Sequence, residues 1–95
     1  MNNKDRETLL ILQEECAEVI QAVSKVFRFG ADMRFPEPTS PTNNQKLEEE
    51  IGDLMGMIGI LIDKGIVDST NVTEAMRNKK AKLKKWSTIF ETKQD

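Results

Sequence analysis

Apolar residues recur at steps of three and four along the first third of the chain: Leu9, Leu12, Cys16, Val19, Ile20, Val23, Val26 and Phe27. That spacing lays them along one stripe of a long helix, expected over about residues 4–29. Gly30 is a natural stop. Residues 30–43 hold three prolines and break the pattern, which predicts an ordered or partly mobile loop. A second helix is predicted over about 44–64. Thr42 followed by Gln45 fits a capping box at its start. Its stripe is Leu47, Ile51, Leu54, Met55, Ile58, Leu61 and Ile62, closing at Gly65. A third helix, over about 70–86, carries a thinner stripe of Val72, Met76, Leu83 and Trp86, with a tail at 87–95. Strand-like alternation and solenoid-length repeats are absent.

The fold class read from this pattern is all-α. It is an antiparallel helical hairpin plus a third, basic helix, in one domain over 1–95. Two long amphipathic helices bury little by themselves, so the hairpin is expected to assemble into a multi-helix bundle as a homodimer or tetramer. Gly52, Gly56 and Gly59 cluster within roughly 60° of each other on the second helix. Each costs on the order of 1 kcal/mol against Ala. Close approach of another helix, within the chain or between subunits, is the expected compensation. Cys16 and the methionines at 55, 57 and 76 are read as core or gap-filling residues, and Trp86 as an apolar anchor.

Composition removes whole classes of chemistry. The 95 residues include no His and one Cys. A Ser-His-Asp or Cys-His nucleophilic site, a zinc site with His ligands and a His-containing di-iron bundle are therefore excluded. The lone cysteine, with no recognisable signal peptide, fits a reducing cytoplasm. The longest apolar run, 51–62, is broken by Asp53 and three glycines, so no membrane partner is expected. Charge is uneven. Residues 1–71 carry seven basic and thirteen acidic side chains; residues 72–95 carry seven basic (Arg77, Lys79, Lys80, Lys82, Lys84, Lys85, Lys93) and three acidic. The acidic body argues against nucleic acid as the main partner.

The carboxylates are the candidate chemistry. The first helix holds Glu14-Glu15-Cys16-Ala17-Glu18, and the second Glu48-Glu49-Glu50-Ile51-Gly52-Asp53. Glu15 with Glu18, and Glu50 with Asp53, stand on neighbouring turns of one face. Each pair lies at the same edge of its apolar stripe. If the stripes face each other, the two pairs converge at one flank. Four carboxylates at short range repel, by roughly 4 kcal/mol for two of them about 4 Å apart at an effective dielectric near 20. A divalent cation relieves this, and an all-oxygen set suits Mg²⁺, with Mn²⁺ as a substitute. A solvated acidic face is the alternative.

EECAE at 14–18 followed by EIGD at 50–53 resembles the EExxE…ExxD signature of the MazG-like all-α nucleoside triphosphate pyrophosphohydrolases. That superfamily also includes dimeric dUTPases and phosphoribosyl-ATP pyrophosphohydrolases. The resemblance covers about residues 8–85, and the flanking LLILQEECAEVIQAVSK and LEEEIGDLMGMIGILID read like small single-domain, often phage-borne, members. It implies Mg²⁺-dependent cleavage of a nucleoside triphosphate, a standard deoxynucleotide or an altered one, between the α and β phosphates. The products are a nucleoside monophosphate and pyrophosphate. Carried over, Glu15, Glu18, Glu50 and Asp53 are the implied metal ligands. Glu14 and Glu49 are the implied catalytic groups, as supports or as base for the attacking water. Asn78, Lys79 and Lys82, with Arg77 beside them, resemble positions that reach phosphate or sugar, and Arg28 is a further candidate, with Arg34 and Phe35 in the loop. The 31 residues between Glu18 and Glu50 exceed the gap in many members, and the excess falls in the Pro-rich loop. Two other readings stand beside this one: phosphoribosyl-ATP pyrophosphohydrolase, and a non-catalytic helical dimer whose acidic face binds a basic partner.

Overall fold

The computed structural model describes residues 1–92. Lys93 and the end of the expected tail lie outside the described residues. Three helices follow one another: α1 (Asn3–Phe29), α2 (Asn43–Asp63) and α3 (Ser69–Trp86). Among the described residues the only extended pairing is an isolated antiparallel bridge between Arg34 and Thr42.

Local chemistry sets each helix boundary. Asn2 Oδ1 accepts the Asp5 N–H at 2.7 Å and opens α1. Gly30, at φ 96°, ends α1 in a conformation that a side chain would strain. The Thr42–Gln45 capping box forms in full. Thr42 Oγ1 accepts the Gln45 N–H at 3.0 Å, and Gln45 Oε1 accepts the Thr42 N–H at 2.9 Å. Gly65, at φ 73°, closes α2, with the Ile66 N–H donating to Leu61 O. Asp68 Oδ1 caps α3 by accepting the Asn71 N–H.

α1 and α2 pack as an antiparallel pair. At one end Asn43 Nδ2 donates to Gly30 O at 3.0 Å. At the other, Lys64 Nζ pairs with the Asp5 carboxylate at 3.4 Å. The Pro-rich loop is tied down. Asn43 N–H donates to Met33 O, Asn44 N–H to Ala31 O, Lys46 Nζ to Phe35 O and Arg34 Nη1 to Ser40 O.

The hairpin seam uses only part of each apolar stripe. Buried or half-buried apolar positions are Leu9, Leu12, Val19, Ala22, Val23 and Val26 on α1, and Leu47, Leu54, Met57, Ile58, Leu61 and Ile62 on α2; Leu9 and Ile62 lie at the end where Lys64 meets Asp5. Among the described residues Ala22 and Leu61 are the only buried hydrophobic ones. The outer edge of each stripe is open. At about 100° per residue, Cys16, Phe27 and Ile20 stand about +60° to +100° from Val19, and Ile51 and Met55 about +60° to +100° from Leu54. Equal rotations on two antiparallel helices that face each other open onto the same side. These residues therefore form one exposed apolar face, where Ile20, Phe27 and Met55 are 69%, 84% and 65% exposed.

This corrects the expectation that Cys16, Met55 and Met76 are core: all three are exposed. Their stripes are wider than one neighbouring helix can cover. The glycine face of α2 is equally open. A Cβ on Gly52, Gly56 or Gly59 would meet nothing within 4 Å, so close packing within the chain does not account for them. α3 leaves the hairpin as an arm. It has no buried residue and no sustained packing against α1 or α2. Trp86, expected to anchor, is 77% exposed. The molecule measures 44 × 39 × 16 Å.

Candidate metal and phosphate site

The side of the hairpin opposite the exposed apolar face carries the carboxylates. On the wheel Glu15 stands at about −40° and Glu18 at about −100° from Val19; Glu50 and Asp53 take the same two angles from Leu54. The matched registers turn all four toward one flank. Glu15, Glu50 and Asp53 offer carboxylate oxygens that all lie within 4.8 Å of one another. Glu15 and Glu50 are half-buried and Asp53 is exposed. Glu18 stands at the outer rim and is not part of this tight group.

Electrostatics single out Glu50. Its carboxyl is raised above the ordinary value of 4.5, first by partial desolvation beside α1, then by the negative charges of Glu18, Asp53, Glu15 and Glu49. The charges that raise it are all acidic. The donor set, oxygen-only and crowded with negative charge, fits a hard divalent ion such as Mg²⁺.

The other sequence candidates scatter. Glu14 and Glu49 are exposed and lie about 40° further round than Glu18 and Asp53, beside the cluster. Asn78, Lys79 and Lys82 sit on the α3 arm, as does Arg77. Asp53 is ten residues, about 15 Å, before the end of α2, and α3 begins only after that end. The arm is thus not packed beside its own chain's carboxylates. Arg28, a candidate substrate contact, stands about 180° from Val19 and faces away from α2. Its guanidinium lies over the Phe29 ring, 4.8 Å from the centroid. Arg34 is spent on holding the loop.

Sequence reasoning passed over two lysines on the cluster's own flank. Lys25 follows Glu18 by seven residues, and Lys46 precedes Asp53 by seven. Seven residues is nearly two full turns, so each lysine shares its carboxylate's face. That spacing was the available signal.

Three helices with a cluster of carboxylates between the first two define an all-α protein with a candidate cation site. The MazG nucleotide pyrophosphohydrolase domain model matches residues 4–87 of the 95, and the chain belongs to that family. No curated protein and no solved structure matches it. Among the described residues no helix is long and apolar enough to cross a membrane.

Proposed function

We propose that the chain is a Mg²⁺-dependent nucleoside triphosphate pyrophosphohydrolase, releasing a nucleoside monophosphate and pyrophosphate. The observation that carries this reading is the convergence of Glu15, Glu50 and Asp53 oxygens within 4.8 Å on two helices in a chain of this family. Glu15, Glu18, Glu50 and Asp53 would hold the metal, with Mn²⁺ able to substitute. Bound there, the ion would neutralise the triphosphate and lower the pKa of a coordinated water. Glu49 or Glu14, beside the cluster, takes the proton of the attacking water. Water adds across the Pα–O–Pβ bridge, and pyrophosphate leaves. Asn78, Lys79 and Lys82 reach the phosphates of a neighbouring subunit's site, because the α3 arm does not lie over its own. The test is pyrophosphate release from a panel of standard and altered nucleotides, and from phosphoribosyl-ATP, across a Mg²⁺ titration.

The assembly is a homodimer or tetramer. A monomer of 10.8 kDa is expected to expose about 5,500 Å². This chain exposes 7865 Å². The excess on one chain, about 2,300 Å², is larger than the roughly 800 Å² that each partner buries in a standard interface.

Glu50 also gives a stability signature. Without metal, the folded chain holds the Glu50 proton more tightly than the unfolded chain. Stability is therefore expected to fall as pH rises from 4.5 through the raised folded value. Mg²⁺ is expected to offset that loss, and Glu50→Gln to remove the dependence. Thermal melts across pH, with EDTA and with Mg²⁺, check it. A Tm indifferent to Mg²⁺ throughout would favour the non-catalytic dimer.

A further inference from the structure

Phe29, Met33 and Phe35 are exposed large hydrophobic residues, yet they converge on one cavity. Its volume is about 350 Å³, and Lys25, Asn43 and Lys46 complete the lining. That volume lies within the range of small-molecule sites, about 300–1,000 Å³. The walls are largely apolar, with two aromatic rings.

Asn43 is the informative residue. It is only 4% exposed. Its amide group donates to Gly30 O at 3.0 Å and Lys25 O at 3.5 Å, which fixes the nitrogen on that side. Its Oδ1 then remains as an acceptor, and no described residue donates to it. No buried side-chain oxygen or nitrogen among the described residues is both sealed off and unpartnered. Asn43 Oδ1 is therefore not sealed off, and Asn43 lines this cavity. A fixed lone acceptor in an apolar, aromatic pocket selects a planar ligand that presents an N–H.

The cavity shares the carboxylate flank. Lys25 lies seven residues beyond Glu18, and Asn43 seven before Glu50, about 10 Å along the helix axes. A nucleotide with its phosphates at the carboxylates can span that separation. Resting on the hydrolase reading above, we infer that this cavity receives the nucleobase. Asn43 Oδ1 accepts from an exocyclic amino group, while Phe29 and Phe35 pack on the ring. The substrate class is then an amino-bearing base, cytosine- or adenine-like. An oxo group at the same position, as in uracil or hypoxanthine, would set two acceptors against each other, and the ring N–H beside it would reach Oδ1 only from a shifted pose.

The experiment has two arms. The first is binding, with methyl-labelled methionine and the nucleoside monophosphates as probes. The Met33 methyl resonance is expected to move on adding CMP or AMP, and to need about tenfold more UMP or IMP. The second is turnover. kcat/KM is expected to be about tenfold or more higher for CTP over UTP and for ATP over ITP. Phe35→Ala, in the exposed loop and outside the helices, is expected to raise KM about tenfold through lost stacking, with kcat moving far less. Pyrophosphate release with equal treatment of the amino and oxo pairs, or with a silent Met33, overturns the pocket assignment alone. A Met33 response to CMP over UMP in a protein that releases no pyrophosphate keeps the pocket and overturns the hydrolase reading.

Discussion

Glu50→Gln is expected to lower pyrophosphate release by at least about 100-fold, since even the outer partners of metal ligands typically cost 10–100-fold. The substitution keeps the shape of the side chain and removes its charge. Glu50 sits where the reading is most exposed to failure. It is half-buried against α1, it belongs to the tight oxygen group with Glu15 and Asp53, and its carboxyl is raised by the charges around it. The metal-free variant is expected to be at least as stable as the parent, because one source of repulsion is gone. It is also expected to lose the Tm rise that Mg²⁺ gives the parent. Activity assays beside melts with and without Mg²⁺ separate a lost ligand from a lost fold. Asp53→Asn is expected to act in the same direction. Near-parent turnover in Glu50→Gln would remove the carboxylate cluster from the chemistry.

Placing a charge on the apolar face is expected to dismantle the fold itself. Met55→Glu and Ile20→Glu each put a carboxylate among residues that have no cover within the chain. With only Ala22 and Leu61 buried as hydrophobic residues among those described, the lone hairpin has little to hold it. Folding and association are then one equilibrium, so the parent Tm is expected to rise with protein concentration. Either variant is expected to lower Tm by about 10 °C or more and to shift the sedimenting species to monomer. The same charge at Thr39, on the exposed loop, is expected to do neither. A parent that sediments as a monomer with a concentration-independent Tm would refute the assembly.

Local signals were legible because they are local. The Thr42–Gln45 box and the stops at Gly30 and Gly65 depend on a few neighbouring atoms, and each forms as the residues indicate. The convergence of the carboxylates was legible for a different reason: equal offsets from two facing stripes fix a common flank. What the pattern could not settle is how much of a stripe one neighbour covers. Cys16, Ile20, Ile51 and Met55 belong to the same periodic runs as Val19 and Leu54, yet only the latter two lie in the seam. The course of α3 was equally hidden, since it depends on contacts the chain does not make with itself. Asn43 reads in the sequence as a helix-start residue. Its second task, gripping the end of α1, depends on residues 13 and 18 positions away.

A hairpin of two helices has little interior to shield one surface from the other, so a single pair of helices must serve both. Even so, the two surfaces draw on separate wheel positions, Glu15, Glu18, Glu50 and Asp53 on one side and Cys16, Ile20, Phe27, Ile51 and Met55 on the other. Exchanges among apolar residues on the one side can therefore accumulate without touching the carboxylate spacing on the other, which the α1–α2 register sets.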